Sequence, residues 1–414
     1  MSKTPVISNP GLLAQFFALI AVCTMVNFSY SFTNPFLHLH FSLDKQQLGF
    51  LAAATSSGNL IFSLLSGIWT DRAPFHQALI AGTGLIGGAA LLFTVAGSYY
   101  TLLILAGAIG VGYSIILPLT NKQVAHLFPA GRQAFAIGLK QSGAPLGIAV
   151  GAATLPLLAV NLGWQSMYVV MALAVGAVAL VVGILNRYDS KSKRVSTAAA
   201  GPVPDAAPGL PAPAANYASG RQKKIIATNL LMGMSFSTSQ VIALTFLVPF
   251  YYEQVGISLI MATTLLGAVQ LAGALARPGM GWLVDHLASK KRLVLGALGL
   301  CNAAILLLLG ALHSNPGWPI LFAISILFGA ACMGWFGPVF SFMIDELGKD
   351  RAGKASGLVS TFNLLGMSVA APFFGYLCDR FGNYQWPLWL FALLMLAATT
   401  VFMSVRDGRR ETAV

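Results

Sequence analysis

Of 414 residues, 57% are hydrophobic and 9% charged, where soluble domains carry roughly 25% charged residues. A mean hydropathy of +0.76 excludes a soluble globular protein. The net charge of +12 would suit nucleic acid, but nearly all of it falls in one set of loops, so no nucleic-acid partner is expected.

A membrane-spanning helix needs about 20 apolar residues. The first such run, 11–37, follows Lys3; it exceeds the roughly 7–15 residues of a signal-peptide core and predicts an uncleaved first span. Eleven more follow at 46–70, 77–97, 101–120, 134–160, 164–186, 226–252, 258–283, 292–313, 317–343, 355–378 and 385–405. Between the sixth and seventh lies STAAAGPVPDAAPGLPAPAANYASG, too poor in bulky side chains to bury a core and expected to be disordered. The expected organisation is a bundle at 1–187, a cytoplasmic linker at 188–224 and a second bundle at 225–414.

Positive charge orients the chain. With the N-terminus inside, twenty Lys and Arg fall in cytoplasmic segments, only Lys45 and Arg380 fall outside, and Lys140 and Arg277 lie within the fifth and eighth spans. Both termini are therefore expected in the cytoplasm, the chain being a multi-pass protein of the cell inner membrane. Tyr99, Tyr100, Trp164, Tyr251, Tyr252, Trp318, Tyr384 and Trp386 fall at outer helix ends, where an aromatic belt belongs. Cys23, Cys301, Cys332 and Cys378 are scattered without CxxC or Cys/His spacing, which indicates neither a disulfide framework nor a zinc site. His38 and His40 are too sparse for a metal site, and no cofactor is expected.

The halves repeat. GIWTDRAPFHQ (67–77) and GWLVDHLASKKR (281–292) align Gly67 with Gly281 and Asp71 with Asp285. GRQAFAIGLKQSGAPLG (131–147) aligns with DRAGKASGLVSTFNLLG (350–366), matching Arg132, Ala136, Gly138, Leu139 and Gly147. The fold class expected is an all-α membrane protein, twelve helices in two six-helix bundles related by a pseudo-two-fold axis, as in transporters built from parallel repeats.

At these residues the chain resembles the major facilitator superfamily over nearly its whole length. The second loop matches the family's GxxxDxxxxKKR-type signature; the first, with Ala73-Pro74-Phe75-His76 after Asp71 and Arg72, departs from it. The resemblance implies that Gly67, Asp71, Arg72, Gly281 and Asp285 form gating latches. The glycines would let helices approach closely, and the carboxylates would pair with basic residues or a helix N-terminus. The family's frequent arginine in the fourth span is missing from LAGAIGVGYS, which argues against the proton-coupled drug exporters.

All twelve acidic residues lie in loops, tails or helix ends, so the membrane interior carries two fixed positive charges and no negative one. Lys140 is about 9 Å inside its span at 1.5 Å per residue, and Arg277 lies at a comparable depth. Snorkelling of Lys140 to the interface and pairing of Arg277 with a gate carboxylate are the competing readings. Oxalate/formate exchangers and monocarboxylate transporters carry a substrate-binding arginine in the eighth span, which the resemblance places at Arg277; KQSG around Lys140 is similar to a stretch in cyanate-permease-like members. The resemblance puts the first, fourth, seventh and tenth spans around the cavity. Candidate lining is Asn27, Tyr30 and Asn34, which share one face of the first span, then Gln240, Gln270 and Asn363, with Tyr113, Trp335 and Phe336 as apolar walls. Ser235 and Ser239 are lesser candidates, and Gln141 points about 100° from Lys140. Gly143, Gly147 and Gly151 form a small-residue stripe for close packing, with Pro145 bending the helix.

The function this predicts is secondary transport of a small organic anion, a mono- or dicarboxylate, by alternating access, in exchange or proton-coupled symport. Alternatives are a cyanate or nitrate transporter and a multidrug exporter. No nucleophile with a base appears, so an enzyme is not expected. The expected partners are the anion and the lipid bilayer, and the chain is expected to act as a monomer.

Overall fold

In hydrocarbon every backbone N–H and C=O must find a partner within the protein, and a helix satisfies them locally. The computed structural model accordingly contains no strand among the residues it describes, which are 10–127, 139–193, 220–287, 291–347 and 352–405. The helices are α1 (Pro10–Asn27), α2 (Tyr30–Phe41), α3 (Lys45–Arg72), α4 (Phe75–Phe93), α5 (Tyr99–Leu127), α6 (Gly143–Leu162) and α7 (Gln165–Lys193). There follow α8 (Gly220–Pro249, continued by a π-turn at Phe250–Gln254), α9 (Leu259–His286), α10 (Lys291–Ala311), α11 (Trp318–Met333), α12 (Phe336–Leu347), α13 (Ala352–Phe381) and α14 (Gln385–Ser404).

Among the described residues eleven candidate spans are long and apolar enough to cross a membrane, α1 with α2 and α11 with α12 each making one. The more polar α3, 28 residues long, reaches about 42 Å at 1.5 Å per residue and completes the twelve. Described helices enter the expected 188–224 segment from both ends. Helix α7 runs on to Lys193 and α8 begins at Gly220, because the Lys-, Arg- and Gln-bearing ends are good helix formers. The bulk of the expected linker, 194–219, lies outside the described residues, as do Arg132, Ala136, Gly138, Lys290 and Arg351 of the repeats.

Contacts divide the chain into two units, Met1–Leu43 with Phe50–Ala207 and Asp44–Gly49 with Pro208–Val414. In the first, α4 packs on α5 and α7, and α1 packs on α5, α6 and α7. Helices α1 and α6 approach closely at Gly147, where a Cβ would lie 2.0 Å from the Ala21 carbonyl oxygen. Gly143 faces the Phe17 carbonyl in the same way and Gly151 faces the Met25 side chain, so α1 and α6 run in register along the stripe. Pro145 sits in the first turn of α6, where a missing N–H costs nothing; it helps start the helix rather than bending one.

In the second unit, α9 packs on α11, α10 on α14, and α8 on α13. Met232, Phe236, Leu295, Trp335, Val339, Phe342 and Phe402 belong to its core cluster. This unit also holds the start of α3, whose first amides are all met by acceptors. Gln47 N–H donates to Asp44 Oδ1 at 2.6 Å and Asp44 N–H to Gln47 Oε1 at 2.9 Å, a reciprocal capping box. Lys45 and Gln46 N–H donate to the Asp379 carboxylate at 3.1 and 2.8 Å. Around this terminus Lys45 pairs with Glu253 at 3.1 Å and lies 5.2 Å from the Tyr384 ring, whose hydroxyl donates to Glu253 at 2.9 Å.

Among the described residues, two of the spans are interrupted near their middle. The first breaks at Phe28–Ser29, and the tenth at Gly334–Trp335. Pro338 accounts for the second: it has no N–H for the Gly334 carbonyl, and its ring crowds that oxygen. At the first, the Ser31 hydroxyl donates to the Phe28 carbonyl at 2.5 Å, competing with the helical ladder.

Candidate functional site

Lys140 occupies a helical turn at residues 139–141, just before α6, and is fully buried. Its ammonium donates to Thr120 Oγ1 at 2.9 Å and Asn121 Oδ1 at 2.5 Å. The Thr120 hydroxyl donates to the carbonyls of Ile116 and Leu117, which leaves its lone pair to Lys140. The ammonium is turned toward α5 and away from the surface of the described residues. The charge is held inside the first unit by two neutral oxygens, and among the described residues no carboxylate reaches it.

The other candidates of this unit form a separate layer. Tyr113, expected as an apolar wall, shares a hydrogen bond with Thr24 at 3.0 Å. Asn27 and Tyr30 flank the break between α1 and α2, both buried, and Asn34 is fully buried one turn further on. Thr120 lies seven residues below Tyr113 on α5, and Asn27 three above Thr24 on α1. At 1.5 Å per residue those offsets separate the Lys140 ammonium from the Asn27 layer by about 15 Å. The structure does not bring Lys140 and Asn27 together.

In the second unit Arg277, half-buried on α9, places its guanidinium 5.8 Å from the Phe336 ring centroid, within cation–π range. Phe336 contacts Trp335 with centroids 5.5 Å apart, and Trp335 stacks on Phe236 at 5.9 Å and 5°. The buried Trp335 indole N–H has no hydrogen-bond partner among the described residues. Gln270, buried with its Nε2 also without one, sits two turns before Arg277 on the same face. Gln240 and Asn363 are half-buried. Ser239 donates to Asn302 at 2.8 Å and Ser235 to the Leu231 carbonyl, so both hydroxyls are committed to packing.

The gating candidates lie near helix ends. Gly67, Asp71 and the exposed Arg72 are on the last turns of α3, and Gly281 and Asp285 on the last turns of α9; the side chain of neither aspartate is described. A Cβ on Gly281 would meet nothing within 4 Å, so the close approach expected there is made instead by Gly337, whose Cβ would lie 3.5 Å from the Gly281 Cα. The basic end of the second motif is spent on its own unit. Lys291 donates to Ser341 at 2.8 Å, and Arg292 to the Phe402 carbonyl at 2.9 Å, with its guanidinium over the Phe342 and Phe402 rings. No cluster of three or more metal-ligating side chains occurs among the described residues.

Sequence reasoning missed Thr120 and Asn121, and the group Lys45, Glu253, Asp379 and Tyr384. A polar pair at the end of the fourth span is a visible signal for the former. The latter joins Lys45 to Asp379, 334 positions apart, and carries no local signal.

The family model described as Major Facilitator Superfamily matches residues 16–371 and 303–413. The chain is similar to the hexuronate transporter of Bacillus subtilis, 22% identical over 91% of this chain and 88% of that one. It is 24% identical to a probable sulfoacetate transporter of Cupriavidus necator over 91% and 88%. With the fosmidomycin resistance protein of Escherichia coli it shares 25% identity over 84% and 81%. A bacterial homologue of the human lysosomal transporter Spinster, solved inward-facing and occupied, superposes with a TM-score of 0.72 at 13% identity, over 95% of this chain and 96% of that one.

Proposed function

Because the chain belongs to the Major Facilitator Superfamily, we propose that it is a secondary active transporter of a small organic anion, a mono- or dicarboxylate, working by alternating access. One observation carries the anionic substrate: among the described residues, the fully buried Lys140 ammonium meets neutral oxygens and no carboxylate. A buried charge without a counter-charge costs several kcal/mol, and an anion arriving from solution offsets that cost. In the second unit, Arg277 offers a planar fork suited to carboxylate, with Trp335 and Phe336 beside it.

Relatives named for hexuronate and sulfoacetate support the organic anion. The fosmidomycin resistance relative favours a second reading, export of a toxic compound. Cyanate and nitrate remain tests of the same cations. The loops at 67–72 and 281–285 serve as latches in this reading, and both termini face the cytoplasm of the inner-membrane-bound chain. A cytoplasm-only fluorescent reporter fused to Val414 checks that orientation; a dark fusion reverses it.

The decisive experiment is a thermal-stabilisation screen of the purified protein with glucuronate, oxalate, succinate, sulfoacetate, fosmidomycin, cyanate and nitrate. An organic anion is expected to stabilise it, with the midpoint weakened about tenfold or more in Arg277→Ala and Lys140→Ala, as expected for removing one partner of a buried charged contact. Full stabilisation retained in both variants sinks the assignment.

A further inference from the structure

The break between α1 and α2 is set among buried polar groups that charge neutralisation does not use. Asn27 closes α1 at 3% exposure, and Tyr30 opens α2 at 4%. Asn27 Oδ1 and the Tyr30 hydroxyl are shut off from solvent and have no hydrogen-bond partner among the described residues. Their neighbours are satisfied: Thr24 with Tyr113, Ser31 with the Phe28 carbonyl, and Thr33 with Tyr168 at 3.1 Å. Buried polar groups are normally partnered, so two orphans flanked by satisfied groups mark a place where the partner comes from outside the chain.

The chemistry of the pair narrows that partner. An amide and a phenol are neutral, so they add nothing to anion neutralisation. Each both donates and accepts, whichever way the amide is turned. A metal ion would want more oxygen ligands than this pair supplies. An aliphatic hydroxyl donates once and accepts twice, which matches both groups. The Lys140 ammonium, about 15 Å away along the helices at 1.5 Å per residue, is out of reach of a three- or four-carbon ligand held here, so the hydroxyl is read apart from that charge.

We propose that Asn27 and Tyr30 read a hydroxyl group, which makes the substrate a hydroxylated carboxylate rather than a simple one. The carboxylate half of that statement rests on the organic-anion reading; the hydroxyl half rests on the helix break alone. A site built to hydrogen-bond a hydroxyl rejects the analogue lacking it, because the buried groups are then left without partners.

The test uses matched probes on the purified full-length protein, with thermal stabilisation titrated for glycerate against propionate and for tartrate against succinate. Glucose serves as a neutral polyol. The hydroxylated member of each pair is expected to act at about tenfold or more lower concentration. In Tyr30→Phe, which keeps the ring, and in Asn27→Ala, that ratio falls to within about twofold. Equal midpoints for both members in the wild type overturn the hydroxyl reading and leave the anion reading standing. An unchanged ratio in both variants also overturns it. Stabilisation by glucose but by no anion, lost in Tyr30→Phe, upholds the hydroxyl reading and removes the anion one. No stabilisation by any of the five probes removes both.

Discussion

Lys140 and its two acceptors form the smallest unit whose energetics decide something. Hydrogen bonds to charged groups contribute about 1.5–3 kcal/mol, and stripping a partner from a buried charge leaves its desolvation uncompensated. Asn121→Ala is therefore expected to lower unfolding stability in detergent by about 1–3 kcal/mol. Removing the charge as well, in Lys140→Met with Asn121→Leu, should return part of that loss, because an apolar pair of similar volume leaves nothing unpartnered. Strictly additive single and double variants would show that the two side chains do not interact. The cation itself was legible, since a lysine six residues inside an apolar run stands out. Its partners were not: Thr120 and Asn121 near the end of the fourth span look like ordinary interfacial polar residues, and nothing local says which helix they face. Tyr113 shows the same gap. Its ring suggested a wall, and the Thr24 hydroxyl that occupies its phenol is 89 residues away.

Among the helices, hydropathy found the spans and missed the breaks at Phe28–Ser29 and Gly334–Trp335, because a window average over about 20 residues is not lowered enough by a few polar residues or one proline to divide a span. It also over-assigned the aromatic belt. Tyr100, Trp318 and Trp386 are exposed at helix ends, but Trp164, Tyr251 and Tyr384 are buried. The Tyr251 hydroxyl meets Ser325 at 3.0 Å and Trp164 packs on His40 and Tyr168, so these rings belong to helix packing rather than to an interface. The glycine stripe of α6 was legible as a pattern, but its meaning depends on what each glycine faces. At Gly147 the obstacle is a backbone carbonyl that cannot move aside, so Gly147→Ala is expected to cost about 1–3 kcal/mol or more through overpacking. At Gly84, on α4, a Cβ meets nothing within 4 Å. There Gly84→Ala should be neutral or stabilising by up to about 1 kcal/mol from helix propensity. Thermal unfolding of the two variants side by side checks the contrast; equal effects would mean the close approach at Ala21 is not a constraint.

At three helix ends among the described residues, charge matches the polarity of the helix. Lys122 donates to the Thr70 carbonyl at the end of α3, and Arg292 to the Phe402 carbonyl at the end of α14. Asp44 and Asp379 instead receive the first amides of α3. Cations at C-terminal ends and anions at N-terminal ends are what the helix dipole favours, so charges that were read only as a topology signal also close the helices. The Glu253 carboxylate beside Lys45 has a measurable counterpart in Tyr384. Burial and the nearby Glu253 charge hold the Tyr384 phenol well above its usual value, so it stays a donor to Glu253 throughout the neutral range. A phenol ionises near pH 10 in the unfolded chain and later in the folded one. Its contribution to stability is therefore complete below about pH 10 and is lost as pH rises toward the folded value. Tyr384→Phe removes that contribution. The stability gap between wild type and variant should be flat from pH 7 to about 9 and should shrink above about 10, where only the wild type forfeits this group's share. Equilibrium unfolding in detergent at stepped pH measures it, the other buried tyrosines being common to both proteins and cancelling. A gap that holds constant to pH 11 would mean that Tyr384 ionises alike in folded and unfolded chains, and that its hydroxyl is not the closed, Glu253-bound donor of the structure.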